Sequence, residues 1–367
     1  MKPNILVISN YDGNIAPIRP EAEIFIGLLK MGYSVWVMTK HGDAHYPKKI
    51  EAAGGTIVDY RPKNKFDSKA IALIKQVVTE NSIDVIHAFN SRGIANAAWA
   101  VWNNKNVRLV SYRGYTGNIR WYDPALYLSF LNPRIDFMVC LAESVRETYL
   151  RNGVRPEKAI TILKGHHPDW YQVDGADLSE FGLSEEDLVC SFVANYRTKM
   201  KGILHLVDAV SMLPAESNIK VLMIGKGLDT QEVKERIEQT KTKERFVFTG
   251  FRTDAASLVK SCHASISVSV FGEAIQKAMI EAMYLKNPVL ISDISGNRGM
   301  AIHKETGYVV APANSKEIFE GLQFLEENRD NLSVMGQRSF EHISKFLHVD
   351  KTIAEYDAFY TRISPKA

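Results

Sequence analysis

Short apolar runs alternate with helix-length amphipathic stretches along this chain, and they do so in two blocks separated by one break. Residues 4–9 (NILVIS), 34–39 (SVWVMT), 56–60, 83–87, 107–112 and 136–141 are strand-length and largely apolar. Helical spacing fills the gaps at residues 21–31, closed by Gly32, and at 67–80, 93–102 and 144–152. A strand that is apolar on both faces is one covered from both sides. Strands alternating with helices of ten to fifteen residues therefore predict a parallel, doubly wound sheet. The pattern breaks over residues 164–185, rich in Gly, Asp and Ser, and restarts with the strand 188–194. Strands at 220–224, 246–249, 264–270, 288–292 and 308–310 follow, with helices at 201–212, 230–240 and 255–262 between them. The expectation is an α/β chain of two Rossmann-like domains, residues 1–172 and 185–348, with a last helix in 349–367 returning to the first.

At 367 residues the chain suits two cores better than one. With 46% hydrophobic and 24% charged residues it has the composition of an ordinary globular protein. It contains no uncharged apolar run of 18 residues, and MKPNILVIS lacks a signal-peptide layout, so a cytoplasmic location is expected. Cys140, Cys190 and Cys262 lie far apart beside apolar segments, which predicts buried thiols and neither disulfides nor a zinc site. The first 170 residues hold 22 Lys and Arg against 15 Asp and Glu, and all five tryptophans. A basic, aromatic half can face an anionic membrane surface or an anionic acceptor; tryptophans that simply fill a core explain the same bias. No nucleic-acid partner is expected.

Ligands of open parallel sheets bind beyond the carboxyl ends of the strands, so the strand-exit loops hold the chemistry. In the second block the first such loop, NYRTKMKG (195–202), sets Arg197 and Lys201 before a helix. Two cations and a helix N-terminus favour a diphosphate; a solvated basic turn would look the same. The next exits carry Gly225 in a Gly-Lys-Gly turn, then Phe251 and Arg252, either of which can stack on a base. The last is FGEAIQKAMIEAM (271–283), with Gly272, Ala274, Ile275 and Gln276 at a helix mouth. Glu273 falls where the loop ends and Glu281 inside the helix that follows, eight positions on, a spacing that can put both on one face about 12 Å apart at 1.5 Å per residue. Two surface glutamates on a helix share that spacing, but four converging loops fit one ligand, a nucleotide-sugar.

These residues resemble glycosyltransferase family 4, retaining enzymes of GT-B fold with two Rossmann-like domains facing across a cleft. The resemblance covers nearly the whole chain and is strongest between Cys190 and Pro312. It rests on the Glu-x7-Glu element, Arg197 with Lys201 and Gly202, NPVLISDISGN (287–297) and ETGYVVAP (305–312). In the first block GYSVWVMT (32–39), IDVIHAFNSR (83–92) and EKAITILKG (157–165) also match. The resemblance implies that Glu281 holds the ribose hydroxyls and Glu273 the donor sugar. Arg197 and Lys201 would neutralise the diphosphate, and N–H groups near Ala274, Ile275 and Gln276 would cap it. Fixed cations and helix N–H groups can stabilise a departing diphosphate without a metal, and no Asp-x-Asp follows a strand, so no metal or other cofactor is expected.

Four departures from the family pattern concern the first block and the sugar. The loop after the first strand, read as 10–23, has only Gly13, with Asn14 and Arg19 near enough for phosphate or acceptor. Arg113 stands where the family often has a histidine and, unable to act as a base, would hold an anion. Ala274 replaces a glycine, and Gly299 a glutamate. His87 reads as a residue of the cleft, or one packed behind it, and His166 and His167 as structural. Residues 120–131 (RWYDPALYLSFL) read either as a buried amphipathic helix or as a membrane- or acceptor-facing one exposing Trp121; Tyr115 and Trp121 join the acceptor candidates. The expected reaction is hexose transfer from a UDP-, GDP- or ADP-sugar to a glycan or lipid-linked acceptor, in cell-surface polysaccharide or lipopolysaccharide synthesis, at the inner face of the membrane. A nucleotide-sugar epimerase and a non-catalytic sugar-binding subunit are the competing readings.

Overall fold

A computed structural model describes residues 2–117 and 119–365 of the chain. It divides into two compact units, one made of the chain up to His166 and from Leu347 onward, the other of His167–Phe346. The division thus falls six residues before the expected 172. Residues that follow it pack on the second unit: Ala176 N–H donates to Ser257 O at 3.2 Å, and Ser261 Oγ donates to Ala176 O at 2.7 Å.

The first unit has seven parallel strands: β1 (Ile5–Ile8), β2 (Val35–Thr39), β3 (Thr56–Asp59), β4 (Val85–Ala88), β5 (Arg108–Arg113), β6 (Phe137–Cys140) and β7 (Ala159–Thr161). Their order is β3-β2-β1-β4-β5-β6-β7, so the winding reverses between β1 and β4. All four residues of β1 are fully buried, as a central strand covered on both faces requires. Helices α1 (Ile15–Lys30), α2 (His45–Ala52), α3 (Ser68–Glu80), α4 (Ser91–Ala100) and α5 (Glu143–Arg151) connect them.

The second unit has β8 (Leu188–Val193), β9 (Ile219–Ile224), β10 (Phe246–Gly250), β11 (Ala264–Ser267), β12 (Val289–Ser292) and β13 (Gly307–Val310), with α6 (Ile203–Ser211), α7 (Gln231–Thr240), α8 (Ala255–Ser261), α9 (Lys277–Tyr284), α10 (Ser315–Glu327) and α11 (Leu332–Phe346). Its order, β10-β9-β8-β11-β12-β13, reverses between β8 and β11. The last helix, α12 (Val349–Ile363), belongs to the first unit and packs on α1: Tyr33 Oη donates to Asp357 Oδ1 at 2.7 Å, and Ile353 lies against Gly27. Residues 366–367 of the expected 349–367 segment lie outside the described residues.

Two expected elements are corrected. Helix α1 starts at Ile15, not Glu21, so the loop after β1 ends at Asn14 and Arg19 is helical. Pro17, in the first turn, forfeits no bond, because the first four N–H groups have no intrahelical partner; Pro20, further in, does forfeit one and is nonetheless helical. Residues 120–131 form no α-helix. Asp123 caps a single 3-10 turn, Pro124–Leu126, and isolated turns follow at Ser129 and Asn132.

His87 is also corrected. It lies in β4 at 0% exposure, with Nδ1 2.5 Å from Tyr360 Oη and its ring stacked on Phe89 at 4.4 Å, so it is core and not an acceptor contact. Burial, then the Lys164 charge, pushes its pKa down to about 3. Below its ordinary 6.5 the unfolded chain takes up a proton that the native state refuses. Stability is therefore full above that pH and falls, by about 1.4 kcal/mol per unit, as pH drops toward the folded value. Urea unfolding at pH 7 and pH 5 should differ by about 2 kcal/mol from this group alone, a difference that His87→Gln should remove.

Candidate functional site

The loops that follow β8 and β11 flank the point where the second sheet reverses its winding, the usual ligand crevice of such sheets. The β8 exit is held in a fixed shape. Tyr196 and Arg197 sit consecutively in the left-handed region (φ +52° and +54°), a conformation that side chains disfavour and that the surroundings must enforce. Tyr196 N–H donates to Lys226 O at 2.8 Å, and Lys226 N–H to Asn195 Oδ1 at 2.8 Å, joining this exit to that of β9. Gly225 N–H donates to Gly250 O at 2.9 Å, joining β9 to β10, and Val270 N–H donates to Met200 O at 2.8 Å, joining β11 to β8. All four loops singled out by sequence are thus tied into one rim.

Across that rim Lys201 Nζ lies 2.5 Å from Glu273 Oε1, with both side chains less than one-fifth exposed. Ser269 Oγ approaches the same carboxylate at 3.4 Å. Arg197 is exposed, and its guanidinium has no partner among the described residues. The N–H groups of Ala274, Ile275 and Gln276 likewise donate to nothing among the described residues. Gln276 is buried, accepts from Ser267 Oγ, and leaves its Nε2 without a partner. Two cations and a run of unengaged N–H groups make this a place for an anion, with one carboxylate set beside it.

The two glutamates do not share one helix. Residues 271–276 are irregular and α9 begins only at Lys277, so Glu273 precedes the helix while Glu281 lies within it, 3.3 Å from Lys277 Nζ. Gly272 is exposed with φ +83°, Ala274 is buried and Ile275 half-buried. Phe251 presents a ring that is 65% exposed. Arg252 does not present its guanidinium: a bidentate pair with Asp254 (2.8 and 2.7 Å) and a contact to Glu180 at 3.1 Å hold it, which corrects its expected role as a base platform.

In the first unit Gly13 and Asn14 are exposed ahead of α1, at the exit of β1, and Arg19 lies within that helix. Arg113 closes β5 but is only 4% exposed. Its Nε donates to Tyr115 O at 3.2 Å, its Nη2 donates to Gly117 O, and its guanidinium lies between the rings of Tyr115 and Phe130 at 4.2 and 4.3 Å. It pins its own loop instead of facing an anion, because it is buried between two rings with two of its five N–H donors on that loop's carbonyls. Tyr115 and Trp121 are 47% and 63% exposed.

Sequence reasoning missed a buried ion pair at this sheet's carboxyl edge. Lys164 Nζ meets Glu21 Oε2 at 2.9 Å, Ser9 Oγ donates to Glu21 Oε1 at 2.5 Å, and the ammonium lies 4.3 Å from the Tyr112 ring centroid. The available signal was a glutamate on a helix face that is otherwise apolar. Among the described residues no cluster of three or more His, Cys, Asp or Glu is placed to hold a metal ion.

Comparison with known proteins adds an independent line. A family model described as "Glycosyl transferases group 1" matches residues 176–342, and one described as "Glycosyltransferase Family 4" matches residues 22–170. An N-acetyl-alpha-D-glucosaminyl L-malate synthase of Bacillus anthracis is 20% identical over 83% of this chain and 81% of its own length. A capsular polysaccharide biosynthesis glycosyltransferase of Staphylococcus aureus is 23% identical over 56% of this chain and 57% of its own length. Among solved structures, the Anabaena protein HepE in complex with UDP superposes with a TM-score of 0.76 at 17% identity, covering 98% of this chain and 100% of that one.

Proposed function

We propose, for a chain that belongs to glycosyltransferase family 4 and has its GT-B fold, the transfer of a hexose from a UDP-, GDP- or ADP-sugar to a glycan or lipid-linked acceptor, with retention of configuration. The observation that carries this reading is the Lys201–Glu273 pair set beside unpartnered Arg197 and the unengaged N–H groups of residues 274–276. A diphosphate between Arg197, Lys201 and those N–H groups has its developing negative charge met by dipoles already in place. Lys201, shared between phosphate and Glu273, would set the donor sugar against that carboxylate. Glu281 would take the ribose hydroxyls and Phe251 the base. The acceptor hydroxyl would attack from the face the diphosphate leaves, passing its proton to a β-phosphate oxygen, so that neither a metal nor a protein nucleophile is called upon. An epimerase would need acid and base groups around one sugar carbon; Arg113 and His87, tied into their own unit, supply neither.

A thermal-shift series with UDP, GDP, ADP and their sugars tests the donor site. One base should raise the melting temperature, by the equivalent of about 2.7 kcal/mol at a hundredfold excess over Kd, and Glu281→Ala should abolish the shift. Absence of a shift with every nucleotide would refute the reading.

We further place the work of this enzyme in cell-surface polysaccharide or lipopolysaccharide synthesis, at the cytoplasmic face of an anionic membrane. Phe66, Trp99 and Trp102 form one exposed aromatic group, and Trp121, Tyr122 and Tyr127 another. Lys65 Nζ, donating to Ala125 O at 3.1 Å, joins the loop of Phe66 to the turn that precedes Tyr127. Aromatic rings interspersed with lysines suit an anionic headgroup layer. No described helix is long and apolar enough to cross a membrane. Vesicles containing phosphatidylglycerol should sediment the protein at low salt and release it at high salt, with Trp102→Ala/Trp121→Ala weakening the effect; equal partition with purely zwitterionic vesicles would count against it.

A further inference from the structure

The helix that begins beside Gln276 ends, about 12 Å away, at a cavity that the donor site does not use. The cavity has a volume of about 470 Å³, within the range of small-molecule sites, and lies wholly in the second unit. Tyr171, Tyr284 and Phe340 wall it, and Lys260, Lys286, Asp174 and Gln172 are among its polar groups. Tyr171 stacks on Tyr284 at 5.0 Å and 12°, and Phe340 and Tyr284 meet edge to face at 6.2 Å, so the three rings form one packed wall.

Lys286 is the informative residue. Helix α9 closes with Lys286 N–H donating to Met283 O at 3.1 Å and Asn287 N–H donating to Ala282 O at 2.9 Å, the bond pair of a Schellman motif. The residue after the cap in that motif is left-handed and is usually glycine; here it is Lys286, at φ +64°. Helix α11 crosses so closely that a Cβ on Gly336 would stand 1.9 Å from Lys286 O, so the lysine's backbone is clamped. Its ammonium sits 5.6 Å from the Phe340 ring centroid. One lysine is enough to meet the terminal carbonyls of α9, and Lys260 does so, donating to Leu285 O at 3.3 Å. The second cation is therefore held at a strained position over an aromatic wall without serving the helix.

We infer that this cavity binds a saccharide residue bearing an anionic group, either a carboxylate or a phosphate. The ammonium groups of Lys260 and Lys286 would take the anion, the ring faces of Tyr171 and Phe340 the C–H face of the pyranose, and Asp174 its hydroxyls. Two cations disfavour a neutral apolar ligand, and the aromatic wall gives a bare inorganic anion nothing further to hold. The site is separate from the donor site and stands or falls independently of it.

Calorimetric titration of the full chain tests this with α-D-glucose 1-phosphate, a glucuronate-terminated oligosaccharide, methyl glucoside and inorganic phosphate. At least one of the two anionic sugars should bind, more weakly as salt rises and at least tenfold more tightly than inorganic phosphate; methyl glucoside should not. Which anionic sugar binds tells whether the ligand is a free sugar phosphate or part of a chain. Lys286→Gly should cut the affinity at least tenfold without lowering the melting temperature, since glycine suits the left-handed position better than lysine. Glu281→Ala should leave this binding intact. Unchanged affinity in Lys260→Ala/Lys286→Gly, parity between glucose 1-phosphate and inorganic phosphate, or no binding of either anionic sugar at millimolar concentration would overturn the assignment.

Discussion

Lys201→Met should slow donor turnover by about 10²–10³-fold, equivalent to about 2.7–4 kcal/mol of lost transition-state stabilisation, in a protein that remains folded. The ammonium is less than one-fifth exposed and lies 2.5 Å from Glu273, so it is fixed before any ligand arrives. A fixed cation beside a departing diphosphate needs no reorganisation at the moment of reaction. The same geometry allows a duller role, in which Lys201 merely compensates Glu273, whose other near neighbour, Ser269 Oγ, stands at 3.4 Å. The double variant Lys201→Met/Glu273→Gln separates the two. Glu273→Gln alone is the reference: if Lys201 only neutralises Glu273, the double variant should turn over as Glu273→Gln does; if it acts on the diphosphate, the double variant should be slower than Glu273→Gln. Nucleotide release under single-turnover conditions measures both. Arg197→Ala should cost less, about tenfold, because an exposed guanidinium without a partner is not positioned in advance. Turnover within threefold of wild type in Lys201→Met would remove this residue from the chemistry.

The Lys201–Glu273 contact also shows what a sequence can and cannot disclose. Each residue was visible as a member of a strand-exit loop, because strands buried on both faces stand out as largely apolar runs such as ILVI and LVCSFV. Their pairing was not, since 72 residues separate them and only the order β8-β11 sets their loops side by side. Arg113 and Arg252 failed for the opposite reason: the charge is plain in the sequence, but its partners are carbonyls and carboxylates that only folding supplies. Arg252 carried a hint in Asp254 two positions on. Helix α2, with its proline in the first turn and three buried residues in eight, offers too little apolar periodicity to be seen. Residues 120–131 mislead because aromatic side chains at mixed spacing imitate an amphipathic helix, whereas Asp123-Pro124 stops and restarts the chain. His87 looked like chemistry at a strand end and is instead packing, its ring enclosed by Phe89, Tyr356 and Tyr360.

Gly225→Ala should destabilise the second unit by about 3 kcal/mol or more and abolish nucleotide binding. Gly225 has φ +137°, a region that side chains avoid, and a Cβ there would stand 1.7 Å from Ala194 O. The obstacle is main chain, so no change of rotamer relieves it. The exits of β8 and β9 would have to separate, which places at risk the bonds from Gly225 N–H to Gly250 O, from Tyr196 N–H to Lys226 O and from Lys226 N–H to Asn195 Oδ1. Each contributes about 0.5–1.5 kcal/mol net, in addition to the backbone strain. Gly250→Ala is the milder counterpart: its φ of +69° is one that side chains adopt at modest cost, and a Cβ there meets nothing within 4 Å, so it should cost only about 1 kcal/mol. Urea unfolding of the two variants therefore sets a restricted dihedral with a main-chain clash against a left-handed glycine in open space. The same gap bears on function, because the left-handed pair Tyr196–Arg197 keeps its shape only while that exit is clamped. If Gly225→Ala cost no more than Gly250→Ala and still bound nucleotide, the rim would be pliable, and a site arranged before its ligand arrives would no longer describe it.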